Sequence, residues 1–474
     1  MMSKKLFAAL CALSLIAADV PAAPAIPTFP PLKFNLVKPE RIVLANGLVV
    51  YLLEDHELPL IHVNFMLRAG TQYDPADKIG MGAIFAQSWT QGGTLTRKPE
   101  DVARFLERKA AGISFGMDLE NGSAACTTRT RDFNEVFAVF ADLLLNPGFA
   151  KDQVDLAKTQ MLEGLRRMND DPDEISRREF RVLMYGRAHP YARIASPESV
   201  QKIKREDLLA RHAQTIVPNG AFLAVTGDFD SAAMKAKLQE SLGGWAKKEI
   251  AYPTLLPAPV FERKRLMYIQ RPISQTQIRI GYPGYPRHHA DSFAWSVFNE
   301  LWGGGATSRL FTTVRTKQGL AYAVGSASFV PSQRGIVVAL SQTRGLQSIA
   351  ATQSILKINE ELQTTVFKPA EVQAAKDTLI NQYIQNFTTA QQIAGAFMSN
   401  EFYGFPDDYL QTYMQKIAKV TPADVQRMAK TYLQPNQATI LMVGDLSTFE
   451  KPIATLGKAQ EIRLIDYTAD ENFR

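Results

Sequence analysis

Apolar residues with strand-like and helical spacings follow one another in blocks along the chain. Residues 40–55, ERIVLANGLVVYLLED, contain two β-rich runs separated by Asn46-Gly47, a dipeptide typical of a tight hairpin turn. The run LIHVNFMLRAG at 60–70 continues as a strand, and a helical pattern begins near Lys78. Further segments carry apolar residues at helical spacing: 99–111, 131–147 and 151–170. Because strands and helices come in blocks, the pattern predicts an α+β fold in which helices cover an antiparallel sheet.

A long internal repeat sets the organisation of the chain. Residues 203–228 match residues 420–445 without a gap, at a separation of 217 positions. Each copy has the pattern of an amphipathic helix, a Pro-Asn turn, an apolar strand and a Gly-Asp end. The shared order and register indicate duplication of a whole domain.

The repeat predicts two homologous lobes of ordinary domain size. The segment YPTLLPAP within residues 249–259 is rich in proline and is interpreted as the linker. We therefore expect an N-terminal lobe at 35–248 and a C-terminal lobe at 260–474.

The N-terminus has the pattern of an export signal over residues 1–25. Lys4 and Lys5 precede an apolar run at 6–18, and small residues follow, with cleavage expected after Ala22 or Ala25. This pattern predicts a periplasmic or secreted protein. The residue before Cys11 is too large for a lipoprotein cleavage site, and no later apolar run has membrane length, so no membrane anchor is expected.

Composition and charge exclude several classes of protein. Apolar residues make up 46% and charged residues 21% of the chain, which is ordinary for a globular protein. The net charge of +6 is not concentrated in a lysine or arginine block, so we expect no nucleic-acid partner. Cys126 is the single cysteine after the signal segment, and we interpret it as a small buried residue.

Five segments carry recognisable motifs: LANGLVVYLLEDHELPLIHVNFMLRAGTQYDPADKIGMGAIFAQSWTQGGT at 44–94, NDDPDE at 169–174, HPYARIASPESVQKIKREDL at 189–208, GDFD at 227–230 and GGGATSRLFTTVRTKQGLAY at 303–322. They resemble the insulinase/pitrilysin/mitochondrial-processing-peptidase family of zinc peptidases. These landmarks keep the order of the family across nearly the whole chain. The resemblance implies two lobes of the processing-peptidase type, together equivalent to one half of a complete peptidase.

The zinc motif of that family is degenerate in this chain. The family's inverted motif, His-x-x-Glu-His, places two zinc ligands and a catalytic base on one helix. Matching the flanking glycines puts Ala83, Ala86 and Gln87 at these positions, and the third ligand position falls on Gly164, beside Glu163. A second acidic position of the family falls on Ala157. Since alanine and glycine offer no donor and an amide is a poor zinc ligand, we expect no zinc site and no zinc catalysis.

The histidines give no substitute metal or catalytic site. The chain has six, and only His288 and His289 are neighbours, which places their side chains in different directions. We interpret them as exposed loop residues. The glycines at 303–305 lack the lysine of a P-loop and are interpreted as a close-packing or mobile turn, with Arg309 anchoring the helix that follows.

Although the zinc motif is degenerate, an arginine and a tyrosine of the family's other half are present in this chain. The resemblance identifies Arg315 and Tyr322 in VRTKQGLAY as the pair that, in the non-zinc half of such peptidases, binds substrate and stabilises the developing oxyanion in the partner's active site. Guanidinium and phenol groups are both suitable donors to a carbonyl oxygen that gains charge. The structural alternative is an ion-paired surface arginine and a core tyrosine.

The function implied by the resemblance is that of a non-catalytic subunit of a secreted zinc peptidase. It would pair as a heterodimer with a zinc-bearing paralogue, contribute Arg315 and Tyr322, and take part in degrading peptides. Zinc would then belong to the partner, and this chain would bind no cofactor. The alternative is a catalytically inert binding or structural protein derived from the same family.

Overall fold

Two six-stranded sheets form the framework of the computed structural model, which describes residues 36–259 and 261–468. The predicted signal segment, 1–25, lies outside the described residues. The strands of the first sheet are β1 Glu40–Val43, β2 Val49–Glu54, β3 Leu60–Leu67, β4 Gly112–Met117, β5 Gly122–Arg129 and β6 Ala221–Gly227. Those of the second sheet are β7 Arg265–Gln270, β8 Gln275–Pro283, β9 Ala323–Phe329, β10 Ile336–Arg344, β11 Thr439–Gly444 and β12 Ala459–Glu461.

Helices pack on both sheets. The helices before residue 249 are α1 Met81–Gln91, α2 Pro99–Lys109, α3 Phe133–Leu145, α4 Lys151–Arg166, α5 Pro172–Tyr185, α6 Pro197–Gln201, α7 Arg205–Thr215 and α8 Ser231–Leu242. Those after residue 260 are α9 Ser292–Asn299, α10 Ser348–Thr364, α11 Pro369–Gln385, α12 Ala390–Phe402, α13 Tyr409–Ala418 and α14 Pro422–Tyr432. Two π-helical segments, Glu300–Gly304 and Phe311–Lys317, follow α9.

The predicted α+β fold is confirmed, with one refinement of the sheets. The first sheet has the order β1-β2-β6-β3-β5-β4, and the second has the order β12-β7-β11-β8-β10-β9. Most neighbours are antiparallel, but β2 pairs with β6, and β7 pairs with β11 and β12, in parallel. The predicted hairpin joins β1 to β2, where Gly47 has φ +88°, a left-handed conformation that favours glycine.

The internal repeat is visible in the elements themselves. Helix α14 begins and ends 217 residues after α7, and β11 repeats the position of β6. Both strands are buried along their whole length. They lie inside their sheets, which explains why the apolar strand is the most recognisable part of the repeat.

One helix from each half of the chain lies on the sheet of the other half. Helix α5 packs on the second sheet, where Ile175 and Met184 share a core with Leu441 and Val443 of β11. In return, α12 packs on the first sheet. The core between them is formed by buried residues of both: Val49, Tyr51, Phe222, Ala224, Ala394, Phe397, Met398, Phe402 and Leu410. The opposite faces carry the two larger cores. The exchange holds the two halves together through apolar contacts.

The segment predicted as linker has no helix or strand, but it is tied to its surroundings. The hydroxyl of Tyr252 donates to the carbonyl oxygen of Arg68 at 2.5 Å, and the ring of His189 donates to that of Leu256 at 2.8 Å. In this part of the chain the backbone therefore lies against the N-terminal half.

Candidate functional site

Helix α1 presents the predicted zinc positions on one side. Ile84, Phe85 and Trp89 point into the core, whereas Ala83 is exposed and Ala86 is half-buried. This division follows from helical spacing, because the apolar residues recur on the opposite face. The methyl groups of the two alanines have no atom that can bind a metal.

A buried ion pair fixes the N-terminus of α1. The Asp74 carboxylate accepts hydrogen bonds from the backbone amides of Gly80 and Gly82, each at 3.1 Å, and pairs with Arg211 at 2.6 Å. Both side chains of the pair are buried, with 3% and 5% of their surfaces exposed. The start of α1 is therefore fixed by a buried charge pair and two backbone hydrogen bonds.

Gln87, at the position of the family's second histidine, links α1 to α4 through an amide–amide hydrogen bond. The side-chain nitrogen of Gln87 donates to the side-chain oxygen of Gln160. Gln160 lies one turn before Gly164, which is the position of the third ligand, so the structure brings together the two helices that the metal motif requires. Gln160 was missed in the sequence because a glutamine outside any motif gives no signal.

The aligned positions on α4 are equally unsuited to zinc. Gly164 is exposed, and a Cβ added there would have no neighbour within 4 Å. Glu163 pairs with Arg166 at 2.5 Å, and Ala157 is fully buried. With two alanines, a glycine and an engaged amide, these residues do not fit a zinc ion. Among residues 36–259 and 261–468 no cluster of three or more His, Cys, Asp or Glu side chains is placed to hold a metal.

The histidines are not all exposed loop residues, so that interpretation was wrong in part. His189 is buried with 3% of its surface exposed. His62 lies in β3 and His212 in α7, where its ring bonds the carbonyl oxygen of Leu144 at 2.8 Å. Since a carbonyl oxygen accepts, Nε2 of His212 carries the hydrogen. Burial lowers the pKa of His212, because the charged imidazolium loses its hydration.

Arg315 lies in the second π-helical segment and is exposed. Its guanidinium carbon lies 4.7 Å from the centroid of the Phe311 ring, which is a cation–π contact with the preceding turn. The described residues give it no side-chain hydrogen bond and no ion pair. The ion-paired surface arginine, which was the structural alternative, is thus not what the structure contains.

Tyr322 lies directly before the edge strand β9, and 72% of its surface is exposed. Its backbone amide donates to the carbonyl oxygen of Gln342 in β10 at 2.9 Å, so the backbone is held while the side chain is free. The described residues offer no hydrogen bond to its hydroxyl. The other structural alternative, a core tyrosine, is therefore also absent, and both phenol and guanidinium remain available to an outside group.

The glycine-rich turn supports β9. A Cβ on Gly303 would lie 2.6 Å from the backbone nitrogen of Ser326, so only glycine permits this contact. Arg309 pairs with Glu371 of α11 at 2.5 Å, which is the structural role expected for it. The turn is a close-packing element, one of the two interpretations made from the sequence.

Fold and site together define a two-lobed α+β protein in which the residues aligned with a zinc motif lack metal-binding side chains. Residues 202–379 match the family model described as "Peptidase M16 inactive domain". The resemblance found in the sequence is thereby confirmed, because over these residues the chain is similar to the M16 group of peptidases.

Relatives with similar sequences carry both peptidase and non-peptidase names. The "Non-peptidase homolog YmxG" of Helicobacter pylori is 24% identical over 401 residues, which cover 83% of this chain and 90% of that one. The "Uncharacterized zinc protease Rv2782c" of Mycobacterium tuberculosis is 28% identical over 297 residues, which cover 61% of this chain and 66% of that one.

Solved structures share the fold. A crystal structure of a peptidase M16 inactive domain from Pseudomonas fluorescens superposes with a TM-score of 0.77 at 24% identity, covering 88% of this chain and 100% of that one. The periplasmic protease PqqL from Escherichia coli superposes with a TM-score of 0.73 at 13% identity, and 89% of this chain covers 49% of that one. No described helix is both long and apolar enough to cross a bilayer.

Proposed function

We propose that this chain is a catalytically inert M16 subunit that pairs with a zinc-bearing paralogue and contributes Arg315 and Tyr322 to the active site of that partner. The complex would degrade peptides, and zinc would be bound by the partner. The proposal includes export to the periplasm or the outside of the cell, supported by the sequence pattern at 1–25.

The exposed and unpaired state of Arg315 and Tyr322 carries the proposal. Exposed arginines often form ion pairs with nearby carboxylates, and a large aromatic side chain left 72% exposed loses the free energy of burial. The exposed aromatic surface of Tyr322 is explained if a second subunit or a peptide covers it together with the neighbouring guanidinium. The lack of donors at Ala83, Ala86 and Gly164 supports a division in which the metal chemistry lies elsewhere.

The position of the pair beside β9 fits peptide binding. β9 is an edge strand of the second sheet, paired on one side with β10. An extended peptide can add to such an edge through main-chain hydrogen bonds, with little dependence on its sequence. A peptide bound there would pass Tyr322, and a guanidinium and a phenol that donate to its carbonyl oxygen would stabilise negative charge in a transition state.

The test is a fluorogenic-peptide cleavage assay on the mature chain, on its zinc-bearing paralogue, and on their mixture, with zinc content measured in each sample. We expect the chain alone to be inert and the mixture to cleave at least tenfold faster than the paralogue alone. Arg315→Ala and Tyr322→Phe should each reduce the rate of the mixture towards that of the paralogue alone, because removing one oxyanion donor typically costs ~10²–10³-fold in kcat.

Lys317→Ala provides the matched control. Lys317 lies on the same π-helical segment as Arg315 and is exposed, so its removal tests whether any lost cation has the same effect. A mixture no faster than the paralogue alone would contradict the proposal. Complex formation that is unaffected by either variant, with no gain in rate, would favour the inert binding or structural protein.

A further inference from the structure

A basic pocket lies between α5 and the loop that follows it. It has a volume of about 290 Å³ and is lined by four arginines, one glutamate and the backbone of the loop at 191–194. Its size is at the lower end for pockets that bind small molecules or single side chains. None of these residues belongs to the zinc motif or to the Arg315 and Tyr322 pair.

Three of the arginines have protein partners. Arg178 donates to a carboxylate oxygen of Glu179 at 3.0 Å and to the side-chain oxygen of Asn169 at 2.8 Å. Arg177 pairs with Glu174. Arg193 donates to the carbonyl oxygens of Ala188 at 3.2 Å and Asp74 at 2.8 Å, which leaves its charge without a carboxylate.

Arg181 differs from the other three. In the described part of the chain its guanidinium has no hydrogen bond and no ion pair. It makes a cation–π contact with Phe329, whose ring centroid lies 5.5 Å from the guanidinium carbon. The side chain is half-buried, and burial lowers its pKa, which expresses the cost of removing a cation from water. Arg177 adds a like charge nearby.

A half-buried guanidinium whose five donors meet no acceptor among the described residues is a suitable binding group for an anion. Next to Arg181, Tyr185 and Tyr191 pack edge-on against the Phe329 ring, with ring centroids 6.2 and 5.9 Å from it. The arrangement is explained if the acceptor comes from a ligand.

We propose that this pocket binds a carboxylate group, with Arg181 as its principal donor and Arg193 as a second positive charge. The planar guanidinium fork matches both oxygens of a carboxylate. Glu174 lines the same pocket and adds a negative charge, which disfavours a dianionic phosphate more than a monoanionic carboxylate. The carboxylate belongs either to a peptide or to a small organic acid.

The pocket is independent of the proposed pairing, since it requires no second subunit. Arg181, which lines the pocket, contacts the ring of Phe329, the last residue of β9, whereas Tyr322 directly precedes the first residue of that strand. If a peptide does add to β9, which rests on the proposed function, the pocket lies at the opposite end of that strand from Tyr322 and can receive an acidic or C-terminal group.

The test measures binding to the mature full-length chain alone. A labelled heptapeptide without acidic side chains, ending in a free carboxylate, is titrated by fluorescence anisotropy beside its C-terminal amide. Succinate and inorganic phosphate serve as competitors and as ligands in thermal unfolding. The variants are Arg181→Met, which keeps length without charge, Arg181→Lys, which keeps charge without the fork, and Arg104→Met on the exposed surface of α2 as a control.

We expect the free-acid peptide or succinate to bind, with Arg181→Met weakening binding at least tenfold, Arg181→Lys weakening it less, and Arg104→Met within twofold of the original chain. Binding of succinate without the peptide assigns the site to small organic acids, and tenfold weaker binding of the amide assigns it to peptide C-termini. Without ligand, Arg181→Met should keep or raise the midpoint of thermal unfolding, because an unpaired charge is removed.

Several results would overturn the assignment. These are equal binding to the Arg181→Met variant, equal binding of acid and amide peptides with no effect of succinate, displacement by phosphate at lower concentration than by succinate, or no binding of any probe. A marked fall in the unfolding midpoint of ligand-free Arg181→Met would instead identify Arg181 as a structural residue.

Discussion

At the scale of single residues, the positions that the resemblance aligns with a zinc motif carry no metal-binding side chains, whereas the helix that bears them is fixed at its start. Ala83 is exposed on a helix whose start is held by Asp74 and Arg211. Side chains introduced there would meet little steric resistance, and Gly164 has open space around it. What is missing is the set of polar neighbours that orients metal ligands in a working site.

The combined variant Ala83→His, Ala86→Glu, Gln87→His and Gly164→Glu should therefore bind zinc weakly and show no peptidase turnover. Residues that hydrogen-bond to the metal ligands typically account for about 10–100-fold in metal affinity, and this variant introduces none of them. Isothermal titration with zinc and a peptide cleavage assay measure the two expectations. The variant with Ala83→His alone is the control, and turnover comparable to that of an active peptidase would mean that the frame suffices.

His212 makes stability depend on pH. Its pKa in the folded chain is lowered from 6.5 by burial beside Leu144 and Trp89, so the unfolded chain binds more protons below pH 6.5. The contribution of His212 is therefore fully present above pH 6.5 and is lost as the pH falls towards the folded value. Between pH 7.5 and 5, His212→Gln should lose less stability than the original chain.

Urea unfolding at pH 7.5, 6.0 and 5.0 checks this difference. Glutamine keeps a donor for the carbonyl oxygen of Leu144 and does not titrate. If the free energies of unfolding of the two proteins fell in parallel with pH, His212 would not contribute to the pH dependence. Titration of the carboxylates affects both proteins equally and does not disturb this comparison.

At the scale of elements, α5 connects the two halves of the chain, because it belongs to the N-terminal half but packs on the second sheet. Ile175 is fully buried against strands of the second sheet, although α5 precedes that sheet in the chain by many residues. Ile175→Ala should reduce the free energy of unfolding by about 2–5 kcal/mol, because a cavity forms in this core. Leu156→Ala on α4, where the side chain is 42% exposed, is the control and should cost well under half as much.

Chemical denaturation with circular dichroism measures both values. If the two variants were equally stable, α5 would not be packed on the second sheet as described.

The sequence predicted elements well and their partners poorly, for a physical reason. The hairpin at Asn46-Gly47 is a local feature, and the repeat of α7 and β6 rests on residues adjacent in sequence, so both were recognisable. By contrast, the apolar face of α5 indicates burial without naming the surface that buries it. For the same reason the contact of Gln87 with Gln160 and the free state of Arg181 required the folded chain, because both depend on residues far apart in sequence.

At the scale of the whole molecule, the exchange of α5 and α12 predicts that neither half folds well alone. Residues 36–248 without α12 would leave Tyr51 and Phe222, each under 10% exposed in the whole chain, uncovered on one face of the first sheet. An uncovered apolar sheet face favours aggregation.

Expressed separately, the fragment 36–248 should therefore aggregate or bind the dye ANS, which reports exposed apolar surface. Co-expression with the fragment 249–474 should restore a stable complex, since α12 and α5 can then exchange as they do in the single chain. Size-exclusion chromatography and thermal unfolding of the single fragment and the pair measure this. A fragment 36–248 that is monomeric and unfolds cooperatively on its own would contradict this prediction. The N-terminal lobe would then be stable without α12, and the exchanged helices would only join lobes that fold independently.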